Sequence, residues 1–192
     1  MIHSMAERVA LFFVSHGSVD RDDLDIYTYA CELILSNIIN VLIGITVSVL
    51  SGKLFEGIAF IVCFVVLRRT TGGYHAKTHF ICIVTFALIL SSSLLLLEIL
   101  KSPIIAIVLG IVSVIVIFFL APVEHKNNPF DREIKILLKV QSRIVAIIIF
   151  IIMLAGICIF RSQIFSAVAL SMFSVCGSMA YATLINKDKA VD

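Results

Sequence analysis

The sequence predicts an all-α integral membrane bundle of about six membrane segments, led by an N-terminal amphipathic helix. Three observations carry that prediction. Hydrophobic residues make up 60% of the 192-residue chain, and a mean hydropathy of +1.12 lies outside the soluble globular range. Long apolar runs recur along the chain, several of them near the roughly 20 residues that cross a hydrocarbon core. These runs do not alternate as barrel strands do, which leaves helices to satisfy the backbone in lipid. The segments use up most of the chain, so residues 1–192 read as one membrane domain, without internal repeats.

Residues 1–15 come first. Ile2, Met5, Ala6, Val9, Phe12 and Phe13 recur at helical spacing, with His3, Ser4, Glu7 and Arg8 opposite them. That pattern suits a helix lying in the membrane interface, and equally one packed on the protein's own bundle. The run lacks a basic n-region and a small-residue cleavage site, so it does not read as a cleavable signal peptide. An acidic, turn-like stretch follows, in which Asp22 to Asp25 are placed to cap a long helix running through the first span.

The membrane segments fall at about 30–50, 54–67, 80–100, 104–122, 144–160 and 164–185. The run 54–67 is short and carries Glu56 near its start. In the first span Glu32, Ser36, Asn40, Gly44 and Ser48 recur every four residues. Such a stripe of small and polar side chains marks a helix contact, and its acid should face the bundle or a wet cavity. It fits packing within the monomer, a substrate groove or the seam of a homodimer. Ser174, Gly177 and Ser178 offer a second close-packing surface in the last span. Glu56 and Glu98 lie near the outer ends of their spans, where Lys53 and Lys101 are placed to pair with them.

The basic residues orient these segments. With six spans and a cytoplasmic N-terminus, Arg8, Arg21, Arg68, Arg69, Lys77, Lys126, Arg132, Lys135, Lys139, Arg143, Lys187 and Lys189 are cytoplasmic. Lys53, Lys101 and Arg161 are outside, a split of twelve to three among the 15. This is a strong positive-inside bias. It predicts a multi-pass cell-membrane protein, in contact with membrane lipids, with both termini in the cytoplasm. The net charge of +2 is too small to suggest nucleic-acid binding.

One polar stretch looks built for chemistry: RRTTGGYHAKTHFIC, residues 68–82. The chain has five cysteines and no C-x-x-C pair, so neither a disulfide framework nor a zinc ribbon is suggested. Cys31, Cys63, Cys158 and Cys176 sit in or at the ends of apolar runs, where a cysteine behaves as a small hydrophobe. Cys82 instead closely follows Arg68, Arg69, His75, Lys77 and His79. A basic, partly wet setting favours the nucleophilic thiolate. On one helix His75, His79 and Cys82 would also share a face and could hold zinc. The stretch H-A-K-T-H lacks the glutamate of H-E-x-x-H, however, and no further ligand is near in sequence.

Arg68, Gly72–Gly73, His75–Ala76, and Cys82 seven residues after the histidine resemble the signature of AgrB, the membrane cysteine peptidases of accessory gene regulator quorum sensing. The similarity extends to the length, the leading helix, the placing of the motif between the second and third segments, and the proline-containing loop APVEHKNNPFD. That loop is often lysine-rich in the family, while here only Lys126 stands beside Glu124. The resemblance implies an enzyme that removes the C-terminal tail of an AgrD-like propeptide and closes the rest into a cyclic thiolactone or lactone. It implies Cys82 as nucleophile, His75 as base, Arg68, Gly72 and Gly73 as supporting residues, and no cofactor or metal. The glycines permit positive φ or close chain approach, which a catalytic loop and an ordinary turn both need.

Sequence geometry and resemblance divide over the base. On a continuous helix His75 and Cys82 are separated by about 10.5 Å of rise, too far for proton transfer. His79, three residues before the cysteine, would reach it undistorted. If His75 is the base, the chain between Gly72 and about Phe80 must be bent. A function from another class, a multi-span peptide exporter without proteolysis, also fits six spans. Against it, the most polar cluster lies at one face, not at the midplane, and no pair of broken helices is evident.

Overall fold

The computed structural model describes residues 2–15, 20, 23–72, 79–99, 102–123 and 131–188. Among them run α1 (Ile2–Ser15), α2 (Leu24–Leu50), α3 (Leu54–Thr71), α4 (His79–Ile99), α5 (Pro103–Leu120), α6 (Arg132–Phe160) and α7 (Gln163–Asp188). The fold is all-α, as the sequence predicts. Five helices, α2 and α4 to α7, are long and apolar enough to cross a membrane. Helix α3 carries Glu56, Arg68 and Arg69 within its 18 residues. Asp23 does stand at the N-cap of α2, but its side chain makes no capping hydrogen bond.

Contacts at its two ends show how far α3 runs. At one end Lys53 Nζ pairs with Glu98 Oε1 at 2.7 Å and donates to the Leu94 carbonyl at 2.8 Å. The lysine thus reaches across to α4 and caps its last carbonyls, where a cation is favoured. The sequence had suggested Lys101 as the partner of Glu98; that residue lies outside the described ones. Farther along, the Phe64 ring of α3 lies 5.4 Å from the Phe86 ring of α4, centroid to centroid. Helices α3 and α4 therefore run antiparallel.

Helix α7 runs parallel to α3. Ser171 Oγ donates to the Phe60 carbonyl at 2.9 Å, and Arg68 Nη1 donates to Ser178 Oγ at 2.7 Å, so both chains advance together. Helix α5 ends beside α3, where Val123 N–H donates to the Thr71 carbonyl at 3.0 Å and Gly72 forms a parallel bridge with Val123. These directions alternate from helix to helix, with α3 antiparallel to α4 and parallel to α5 and α7. They bring the ends of α3 and α5 and the start of α4 to one side of the bundle.

Packing is driven by fit rather than by escape from water, because lipid tails are as apolar as leucine. Close approach therefore falls to small residues. At Gly57 of α3 an added Cβ would lie 1.8 Å from Ser48 Oγ of α2, so the two helices could not meet there with any side chain. Ser48 is fully buried and donates to the Gly44 carbonyl at 2.7 Å, which satisfies its hydroxyl within its own helix. Gly44 in turn faces Ile61 of α3 and Phe86 of α4. This half of the four-residue stripe is thus taken up inside the monomer. In the other half Ser36 is buried and Glu32 pairs with His3 of α1. Between them Asn40 Oδ1 is buried without a hydrogen-bond partner among the described residues.

Helix α1 rests on α2 through Ala6 and Ala10, both fully buried. It leaves Met5, Val9, Phe12 and Phe13 exposed. Toward the Lys53 end the core joins Phe60, Phe86, Leu90, Leu94, Leu97, Ala167 and Leu170. Toward the Arg68 end it joins Leu67, Ile117, Val123, Met172, Val175 and Met179. Helix α4 contributes to the first cluster and not to the second. Its buried side chains stop at Phe86, one turn short of the half-buried Cys82.

Candidate active site

The apolar run of α3 ends at Leu67, but the helix continues another turn through Arg68, Arg69, Thr70 and Thr71. Thr71 is fully buried and its hydroxyl donates to the Leu67 carbonyl at 2.9 Å. Gly72 then stops the helix at φ 69° and ψ −150°, a backbone region essentially reserved for glycine. Space demands glycine as well, since an added Cβ would lie 2.5 Å from the Val123 carbonyl oxygen. The chain therefore leaves α3 at a point clamped to the end of α5.

Helix α4 begins at His79. Helix α3 ends at Thr71 and Gly72 is not helical, while residues 73–78, over which a His75 base would require the bend, lie outside the described ones. Gly73 and His75 themselves lie outside the described residues. His79 and Cys82 are three apart at the start of one helix, so their positions share a face.

Cys82 lies in the first turn of α4 and is half-buried. The positive end of a helix dipole is directed there, and unsatisfied N–H groups of the first turn are close by. Arg68, in the last turn of α3, donates from Nη1 to Ser178 of α7. Arg69, one residue on, is exposed, as a purely topological arginine would be. A half-buried thiol at a helix N-terminus is placed where a nucleophile can act. The other cysteines differ. Cys63 and Cys176 are buried against the carbonyls of Val168 and Ser113. Cys31 is half-buried in α2 and Cys158 is exposed on α6.

Two residues at this end escaped the sequence reading. Ser178 looked like a packing residue, and only its partner 110 positions away reveals its contact. Arg143 of α6 counted only as a cytoplasmic charge. Its guanidinium carbon lies 3.8 Å from the centroid of the Phe118 ring, and Nη2 donates to the Phe118 carbonyl at 2.9 Å. It covers the last turn of α5 by cation–π contact and by capping a carbonyl that the helix leaves free. An arginine at the edge of the apolar run, about three turns into α6, was the available signal for it.

The model of the family described as accessory gene regulator B matches residues 6–181. No curated protein and no solved structure matches the chain.

Proposed function

Because the chain belongs to the AgrB family, accessory gene regulator B, and so has a role in processing quorum-sensing peptides, we propose that it is a membrane-embedded cysteine endopeptidase acting on an AgrD-like propeptide. The observation that carries this reading is the Cys82 thiol, half-buried in the first turn of α4. Cys82 attacks the propeptide carbonyl after His75 takes the thiol proton. The C–N bond breaks, His75 returns that proton to the departing amine, and the propeptide remains as a thioester on Cys82. A cysteine or serine within the propeptide then attacks the thioester, closes the ring and regenerates the thiol. First-turn N–H groups of α4 serve as oxyanion donors. Amide to thioester is uphill and thioester exchange is nearly balanced, so removal of the tail or export of the product draws the reaction forward. The scheme needs no cofactor.

Co-expression with short open reading frames from the neighbouring genome, followed by mass spectrometry, tests the activity. A released tail is expected, together with a remainder lighter by one water than the linear acid. A remainder found only as the linear acid would leave hydrolysis without cyclisation, and an intact propeptide in every pairing would remove the peptidase reading.

The base is tested separately. His75→Ala is expected to lower cleavage by roughly 100-fold or more, the scale of a lost general base, while His79→Ala at matched membrane levels keeps substantial activity. Full activity in His75→Ala with loss in His79→Ala overturns the assignment.

The site is proposed at the cytoplasmic face, on the strength of the twelve-to-three charge split. Reporters inserted after Gly73 and fused after Asp192 should both read cytoplasmic, and an external reading after Gly73 contradicts this placement. Gly44 and Ser48 are already used against α3 and α4. A homodimer seam on α2 would therefore run along its exposed residues, such as Ile34, Ile38 and Leu42.

A further inference from the structure

Helix α6 is 29 residues long, about 43 Å of helix, which exceeds a hydrocarbon core of about 30 Å. Counted back from Phe160, roughly 20 residues fill that core and end near Gln141. The first turns of α6 therefore lie at the depth of lipid headgroups. There Arg132, Lys135, Lys139 and Arg143 recur at spacings of three, four and four, which puts them on one face of the helix. Ile134 and Leu137 stand opposite them and are exposed. Lys135 has Asp131 one turn behind it. Lys139 and Arg143, one turn apart, make no ion pair with an acid among the described residues. Arg143 is nonetheless fixed in place by the ring and carbonyl of Phe118. Its Nε is buried without a hydrogen-bond partner, and its Nη1 makes no hydrogen bond among the described residues. Phe118 and Phe119 remain exposed beside it, so the guanidinium lies at the outer surface of the bundle, within reach of lipid.

We propose that Lys139 and Arg143 form a binding site for the headgroup of an anionic phospholipid, whose phosphate oxygens accept from the guanidinium and from the ammonium one turn away. Such charge-assisted bonds are the strong ones, and they offset the cost of a buried N–H left unpaired. A zwitterionic headgroup would bring its own cation to a site that already holds two, so a net negative one is selected. Its acyl chains would lie along Phe118, Phe119 and the apolar length of α6. The positive-inside bias asks only for basic residues on this side of the membrane. It does not ask that they share a face, nor that one be fixed with an unmet N–H. A lipid held here also rests on the last turn of α5, just before the Val123 that bonds to Thr71. The inference does not depend on the peptidase reading.

The test uses the full-length protein in detergent, with native mass spectrometry counting bound lipid and a melting curve reporting stability. Phosphatidylglycerol is expected to bind and to raise the thermal midpoint, whereas phosphatidylcholine and inorganic phosphate at the same concentration do neither. Lys139→Gln is expected to weaken phosphatidylglycerol binding about fivefold, the order of one basic residue near an anionic surface. Lys139 is exposed and makes no ion pair among the described residues, so this variant folds as the parent does. Arg143→Gln is expected to weaken binding at least as much. That substitution also uncaps α5, and where it prevents folding the lysine variant decides. Arg69→Gln, which removes one exposed charge at the end of α3, leaves binding unchanged. Equal weakening by Arg69→Gln reveals attraction to net charge alone and overturns the site, as does undiminished binding in Lys139→Gln. Equal binding of phosphatidylcholine, or a midpoint raised by inorganic phosphate alone, overturns the assignment to an anionic lipid. Failure of phosphatidylglycerol to bind overturns it outright.

Discussion

Serine at position 82 is expected to abolish propeptide cleavage, a loss on the order of 10³-fold or more, as removal of a nucleophile gives. A hydroxyl is a far weaker nucleophile than a thiolate at neutral pH, and a helix N-terminus does little to ionise it. The same exchange elsewhere leaves substantial activity. At Cys63 and Cys176 a serine keeps a donor for the Val168 and Ser113 carbonyls that the thiols now face. Cys31 is only half-buried in α2, and Cys158 is exposed on α6. The measurement is release of the tail, followed by mass spectrometry at matched membrane levels of each variant. Comparable processing by Cys82→Ser would falsify the covalent mechanism.

Gly72→Ala is expected to cost about 3 kcal/mol of stability, combining a backbone conformation unsuited to L-residues with a steric clash. The φ of 69° is one part of the penalty, and the 2.5 Å approach of the new methyl to the Val123 carbonyl is the other. Relief requires the end of α3 to part from the end of α5, which breaks the bond from Val123 N–H to the Thr71 carbonyl. Cleavage should fall with the thermal midpoint in detergent, because the chain leading to His75 departs from this clamp. A variant that melts with the parent protein would show that the clamp contributes nothing to stability.

Much of the fold was legible because membrane helices announce themselves by apolar length. Segments expected at 80–100 and 104–122 appear as α4 (His79–Ile99) and α5 (Pro103–Leu120). Helix α6 begins at Arg132, where an apolar run was expected only from 144. Its first three turns carry Glu133, Lys135, Lys139 and Arg143, and a search for apolar runs passes over a helix that continues into polar surroundings. The short run 54–67 was uncertain for the opposite reason. Helix α3 has charged residues near both ends, and its course is fixed by its partners, Glu98 at one end and Ser178 at the other.

For the site, the spacing R-x-x-x-G-G-x-H-A-x-x-x-x-x-C marked the stretch, and Gly72 proved to need glycine for both conformation and space. The clamp to Val123 and the hold of Ser178 on Arg68 were not legible. Contacts between distant helices depend on how each is rotated about its axis, which a single helix's pattern does not specify. The four-residue stripe on α2 shows the same limit. Its periodicity declared a contact surface, yet α1 takes one half, and α3 and α4 take the other.

Lys53 and Arg68 are fifteen positions apart, about 22 Å along a helix axis, whereas a hydrocarbon core is about 30 Å thick. Lys53 is held by Glu98 and Leu94 at one end of α3, and Arg68 by Ser178 at the other, while α7 continues ten residues beyond that serine. The two charge levels are thus closer together than the two faces of an ordinary bilayer. For both charges to meet water across such a bilayer, lipid would have to thin around α3 or the two long side chains reach outward. Both carry a mismatch cost that grows with acyl-chain length, which makes bilayer thickness a variable of this chemistry alongside pH and substrate.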